Sequence, residues 1–256
     1  MPTRWSGPEV TLAPTPCRTD GASAAAFGVR VAAERRADQW QLVRTGQQLE
    51  LVPPQASGLA AIGIDLASGP MARRLRSTKR DEPLPRACGL HRRTTPLRVV
   101  DATAGLCRDA MILASLACEV VAIERVPALA FLAHAAVAGS WLDARLRVRC
   151  GDAAEYLSTL AEAERPDVVC LDPMFEDHGK AQVKKDMQVC RALAGPPEDV
   201  AALFAAAQAM ARERVVVKRS PGSAPLVDGV SFAVPGERVR FDVYLTNPAR
   251  DAPTAQ

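Results

Sequence analysis

The stretch Leu97-Arg-Val-Val-Asp-Ala-Thr-Ala-Gly-Leu-Cys-Arg-Asp-Ala110 decides how the chain reads. Leu97–Val100 is a short apolar run of strand type, and from Asp109 to Ala117 the pattern is helical. Between them lies a turn of small residues that opens on a carboxylate, Asp101. Open α/β sheets bind their ligands at the carboxyl end of a strand running into such a turn. Ala102, Ala104 and Gly105 leave room for a ligand to come close to the backbone.

Working outward, the next apolar run, Glu119–Ile123, ends in Glu124-Arg125, 23 residues beyond Asp101. An acid at the end of the neighbouring strand can accept hydrogen bonds from both hydroxyls of a ribose. A helix over Pro127–Ala138 follows, then strands at Arg145–Arg149 and Asp167–Leu171, helices near Val183–Leu193 and Asp199–Met210, and a strand at Arg214–Val217. This alternation predicts a doubly wound, mostly parallel sheet covered by helices. Val230–Val234 and Val239–Leu245, joined by Pro235-Gly-Glu237, read as an antiparallel hairpin closing it.

Before Leu97 the pattern differs. Phe27–Val31, Trp40–Val43, Leu49–Val52 and Leu59–Leu66 are short apolar runs between turn residues, with Arg44-Thr-Gly-Gln47 as a turn. The expected organisation is a small β-rich N-terminal subdomain over 1–70, a basic connector over 71–96, a main domain over 97–248 and a disordered tail over 249–256.

The 256 residues, 48% hydrophobic and 24% charged, can bury a core without disulfides or metal, which excludes disorder or coiled coil for the whole. The apolar run Val126–Ala138 is interrupted by His134 and falls short of the ~20 residues of a membrane span. The first residues lack a basic stretch followed by an apolar one, so a cytoplasmic location is expected. Seven cysteines, widely and irregularly spaced, form no zinc pattern and read as small buried hydrophobes. No metal is expected. Eight basic and two acidic residues between Met71 and Arg93 leave that segment at +6 in a chain of +3. Such a patch suits phosphate, although a solvated arginine-rich loop reads the same way.

A dinucleotide site would show Gly-x-Gly-x-x-Gly, and here only Gly105 is present. A cofactor without phosphates, S-adenosylmethionine (SAM), fits better, and Asp101 and Asp109 suit its cationic end. The second constellation, Val168-Val-Cys-Leu-Asp-Pro-Met-Phe175, ends a buried-type strand in Asp172-Pro173-Met174-Phe175. The lone pair of an exocyclic base amine is delocalised into its ring. An Asp172 carboxylate and the Pro173 carbonyl can draw it out by accepting the amine N–H groups, while Phe175 stacks on a base swung out of its helix. Methylation of a base carbon would need a cysteine nucleophile, which neither Cys17 nor Cys170 is placed to supply. His178 lies near enough in sequence to touch a substrate. A methyltransferase for another amine in RNA, protein or a small molecule stays open, as do a nucleotide-dependent dehydrogenase and a non-catalytic RNA-binding module.

Taken together, Val99–Ala110, Glu124-Arg125, Leu171–Phe175, Val183-Lys-Lys-Asp-Met187, Arg214–Arg219 and Arg240-Phe-Asp-Val-Tyr244 resemble the ribosomal RNA small subunit methyltransferase J family, over roughly Ile62 to Tyr244. The resemblance implies a Rossmann-like class I methyltransferase with a seven-stranded sheet. Its implied reaction moves a methyl group from SAM to N2 of one guanosine in small-subunit (16S) ribosomal RNA. It also implies cofactor contacts at Arg108, Asp109, Glu124, Arg125, Asp152, Ala153 and Asp172, beside Asp101 and Gly105 read from the turn. Cys107 stands where the family has glycine, which is expected to narrow the cofactor pocket, and the segment Ser77–Glu82 departs from the family's glycine-rich stretch. Arg73, Arg74, Lys184, Lys185, Lys218 and Arg219 are candidate phosphate contacts. The expected partner is small-subunit ribosomal RNA or the 30S particle, with no membrane and with the enzyme a monomer.

Overall fold

Val99-Val100, Val120–Ile123, Val168–Leu171 and Val215–Val217 are almost unbroken apolar runs because the strands holding them are buried on both faces. In the computed structural model, which describes residues 6–14, 18–173, 185–196 and 199–246, these runs form the centre of a seven-stranded sheet. The strands are β6 (Arg98–Asp101), β7 (Glu119–Glu124), β8 (Leu146–Cys150), β9 (Val168–Leu171), β10 (Arg214–Arg219), β11 (Phe232–Pro235) and β12 (Arg240–Leu245). Their order is β11-β12-β10-β9-β6-β7-β8. Only β12, between β10 and β11, runs antiparallel to its neighbours, so the hairpin expected at the C-terminal end closes the sheet.

Strand order reverses between β6 and β9, which pair in parallel with Asp101 level with Cys170. A crevice therefore opens beyond their carboxyl ends. β10 pairs with β9 in parallel, Val217 opposite Leu171, so Lys218 follows on one strand as Asp172 follows on the other. The connecting helices are α4 (Arg108–Ser115), α5 (Pro127–Val137), α6 (Ala153–Thr159), α7 (Lys185–Leu193) and α8 (Val200–Met210). Asp152 and Asp199 cap α6 and α8, accepting from Glu155 N–H at 2.9 Å and Ala202 N–H at 3.0 Å.

The N-terminal residues form a second sheet from β1 (Val10–Leu12), β2 (Arg30–Val31), β3 (Trp40–Thr45), β4 (Gln48–Val52) and β5 (Ile62–Gly63), in the order β2-β1-β3-β4-β5. β3 and β4 make the hairpin whose turn the sequence shows, Thr45 pairing with Gln48. β1 and the helix α1 (Arg18–Ala26) are additions to the expected pattern. Leu12, Leu42 and Leu51 of this sheet pack in one apolar cluster with Leu129, Phe131 and Leu132 of α5. That explains why α5 is apolar on nearly every side: it is buried between two sheets.

The segment read as a connector is largely helical, with α2 (Gly69–Ser77) and α3 (Pro83–Ala87). Leu75, Leu84, Ala87 and Leu90 enter the main core, and its arginines face outward or pair. Among the described residues no helix is long and apolar enough to cross a membrane.

Candidate active site

A cavity of about 1110 Å³ lies beyond the ends of β6, β7, β9 and β10, bounded above by α2 and α7. Asp101, Gly105, Asp109, Glu124, Asp172 and Lys218 all line it, with Pro70 and Met71 of α2 and Met187 and Cys190 of α7. Two segments distant in sequence, the turn after β6 and the Asp172-Pro173 end of β9, thus share one wall.

Backbone hydrogen bonds fix that wall. Ala102 N–H donates to Cys170 O at 2.9 Å, and Asp172 N–H donates to Thr103 Oγ1 at 2.5 Å, so the two turns are latched together. Gly105, at φ +52°, donates its N–H to Glu124 Oε2 at 2.7 Å, while Val126 N–H donates to Glu124 Oε1 at 2.7 Å. The Glu124 carboxylate is therefore held at both oxygens. Burial raises its pKa against the pull of these hydrogen bonds.

Asp101 is only 4% exposed and accepts a long 3.4 Å hydrogen bond from Thr103 N–H. Burial, with Asp109 and Asp172 nearby, pushes its carboxyl up to about 7. Across the floor, Lys218 Nζ stands 2.9 Å from Asp109 Oδ2 and 2.9 Å from Asp172 Oδ2. The two carboxylates overcome desolvation and raise the pKa of the ammonium. Asp172 is raised by desolvation and lowered by Lys218, and its side chain remains half exposed toward the cavity.

Arg108 pairs with Asp186 of α7, and Arg125 Nη2 donates to Ala194 O at 2.7 Å and Pro196 O at 2.6 Å. Both arginines thus tie α7 and its following turn over the cavity. Gly151 lines the cavity, whereas Asp152 and Ala153 are outside its lining, Asp152 capping α6 and Ala153 buried in the core. Cys107 is wholly buried in the main core at φ +55° and is likewise outside the cavity lining, so it does not narrow the pocket.

The phosphate candidates separate. Arg73 and Lys185 are exposed. Arg74 pairs with Glu82 and lines the cavity mouth, and Arg219 donates to Ala224 O at 2.7 Å and 3.1 Å. Lys218 lines the cavity and is paired with Asp109 and Asp172. Thr103, Met71 and Met187 carried no signal of a site role in the sequence. Phe175, His178 and Lys184 lie outside the described residues. The described cysteines are buried or half-buried, and burial pushes the Cys118 thiol up to about 12.

Five carboxylates line the cavity; Asp186 is paired with Arg108, and Asp109 and Asp172 share Lys218, which leaves Asp101 and Glu124 without a cationic partner close by among the described residues and open to a positively charged, hydroxyl-bearing ligand. Asp101, desolvated and weakly partnered, gains an electrostatic partner when a positive group sits beside it, and Glu124 retains lone pairs for ribose hydroxyls. These residues fit SAM. The family model described as "Putative SAM-dependent methyltransferase" matches residues 24–246. Ribosomal RNA small subunit methyltransferase J of Thioalkalivibrio sulfidiphilus is 43% identical over 211 residues, 78% of this chain and 82% of its own.

The chain belongs to the ribosomal RNA small subunit methyltransferase J family. It is a SAM-dependent methyltransferase of class I fold. The Aeromonas hydrophila member of the family is 43% identical over 218 residues, 81% of this chain and 87% of its own. A solved SAM-dependent methyltransferase from Neisseria gonorrhoeae is 28% identical, with a TM-score of 0.73, covering 94% of this chain and 96% of that one. The α/β fold, its closing hairpin and the cofactor expected from the turn after β6 all agree with this family.

Proposed function

We propose that this methyltransferase modifies the exocyclic N2 amine of one guanosine in small-subunit (16S) ribosomal RNA. The observation that carries the reading is Asp172, at the end of β9, half exposed into the cavity that Gly105 and Asp101 also line. The names of the relatives support the RNA, and the basic segment whose helix α2 borders the cavity mouth supports a phosphate-bearing substrate.

When bound, SAM supplies a methyl group on a sulfonium, an electrophile that needs only a nucleophile in line. The chain's own residues hold the reactants. Glu124, fixed at both oxygens, accepts the ribose hydroxyls, and Asp101 and Asp109 face the cationic end. Asp172 and the Pro173 carbonyl accept the amine N–H groups, pulling the lone pair away from the ring. Proximity and alignment then supply most of the acceleration, and Phe175 is the proposed stacking platform. Arg73 and Lys185 are the proposed phosphate contacts. The reading carries with it a cytoplasmic location, the 30S particle or its RNA as partner and a monomeric enzyme.

Mapping methylated nucleosides by mass spectrometry in 16S RNA from a deletion strain tests the reading. One N2-methylguanosine is expected to disappear and to return with the wild-type gene, but not with Asp172→Ala. An unchanged modification map overturns the proposal. In vitro, Asp172→Ala is expected to lower single-turnover transfer at least a thousandfold with SAM affinity largely preserved.

A further inference from the structure

Asp172 and Lys218 form an edge that the methyl-transfer step alone does not require. Lys218 Nζ is 2.9 Å from Asp172 Oδ2, and both side chains line the cavity. An ammonium has three N–H donors. Asp109 Oδ2 takes one at 2.9 Å and Asp172 Oδ2 another, which leaves the third for a ligand. The pair therefore presents, side by side, two carboxylate acceptors and one cationic donor.

Enzymes that act on an extruded base recognise it through hydrogen bonds to its Watson–Crick edge. Guanine presents along that edge the 2-amine donor, the N1–H donor and the O6 acceptor. The complement is acceptor, acceptor, donor, the order that cytosine offers in a base pair. We propose that Asp172 and Lys218 together imitate that cytosine edge. Asp172 takes the 2-amine and N1–H, and Lys218 donates its third N–H to O6. Lys218 is then a specificity-determining residue that touches the base. The inference rests on the guanine-N2 reading and adds the means by which guanine is chosen.

The chemistry excludes adenine twice over. Its N1 is a lone pair that would face the Asp172 carboxylate, and its 6-amine would point donors at the Lys218 ammonium. Both contacts are repulsive inside a cavity that already carries Asp101, Asp109 and Glu124. Asp109 has a part of its own: it makes a second 2.9 Å contact with Lys218, so the ammonium keeps its place when a base arrives.

The test uses 16S RNA fragments in which the mapped guanosine is replaced, by ligation, with 2-aminopurine ribonucleoside. That base keeps the reacting 2-amine but lacks O6 and N1–H. A hydrogen bond to a charged partner is worth roughly ten- to a hundredfold. The wild-type enzyme is thus expected to favour guanosine over 2-aminopurine by about a thousandfold in kcat/KM. Lys218→Met is expected to lower guanosine turnover about ten- to a hundredfold more than 2-aminopurine turnover, so the preference shrinks by that factor. Lys218→Gln covers the case in which the Met variant fails to fold, with thermal melting as the check on both.

If either folded variant loses equal activity on the two RNAs, Lys218 only supports Asp172 and the proposal is overturned. Equal wild-type turnover of both RNAs overturns it as well. Failure of the underlying reading looks different: wild-type enzyme then leaves the guanosine of unmodified RNA without a methyl group at N2.

Discussion

Gly105 and Glu124 are joined by a 2.7 Å hydrogen bond from the glycine N–H to Oε2, which ties the turn after β6 to the end of β7. With Val126 N–H on Oε1, the carboxylate is oriented before any ligand arrives. Glu124→Gln puts an amide NH₂ against one of these two backbone donors and weakens the acceptor set for the ribose. SAM affinity is expected to fall about ten- to a hundredfold, since hydrogen bonds to a charged group contribute roughly 1.5–3 kcal/mol. Isothermal calorimetry reads this directly, and an unchanged dissociation constant removes Glu124 from the ribose site.

Asp101 gives the site a pH dependence whose sign can be worked out. Its carboxyl is pushed up to about 7 by burial, above its unfolded value. The folded protein without cofactor therefore holds this proton more tightly than the unfolded chain. Asp101's favourable contribution to stability is full below about pH 4 and is lost as pH rises through 7. Cofactor binding runs the other way, because a cation prefers the ionised carboxylate. SAM affinity is expected to rise about tenfold from pH 6 to pH 8, and Asp101→Asn is expected to flatten that rise and to raise the melting temperature of the cofactor-free protein at pH 8. A wild-type affinity independent of pH would mean that Asp101 does not face the cation.

Cys107 occupies the left-handed region at φ +55° with its side chain packed in the core. An L-residue there costs roughly 1–2 kcal/mol, most of which glycine avoids, while the buried thiol contributes a similar amount in packing. Cys107→Gly is therefore expected to change unfolding free energy by less than about 1 kcal/mol. Cys107→Val, β-branched in the same conformation, is expected to destabilise by about 2 kcal/mol or more. Chemical denaturation of the two variants separates backbone strain from packing. Equal losses in both would put the packing of the thiol first.

The parts of the fold legible in the sequence are those where burial is two-sided. The Val-rich strands and the Asp101 and Asp172 turns carry their signal in consecutive residues, so the sheet and one wall of the cavity follow from local pattern. α1 was hidden because Asp20-Gly-Ala-Ser-Ala-Ala-Ala26 has no apolar period, and its one deeply buried alanine, Ala24, is indistinguishable from its neighbours. α2 and α3 were masked by their arginines, although Leu75 and Leu84 anchor them. Lys218 shows the limit of charge as a guide. Counted as a cation it belongs with the RNA contacts, and only the register of β9 with β10 turns it toward Asp109 and Asp172.

That distinction makes Arg73 the informative basic residue. It is exposed on α2, whereas its neighbour Arg74 is engaged by Glu82 at the cavity mouth. If the patch meets RNA, each arginine that touches a phosphate displaces about one counterion, and the slope of log affinity against log salt changes by roughly 0.9 per contact. Arg73→Glu is expected to weaken binding of 16S RNA about tenfold or more at low salt and to make the slope shallower by about one. SAM affinity and melting temperature should stay within error, because the residue is exposed and outside the cavity lining. Titrations of labelled RNA across a salt series measure both quantities. A variant with wild-type affinity and slope would leave the segment as a solvated arginine-rich face and move the RNA to another surface.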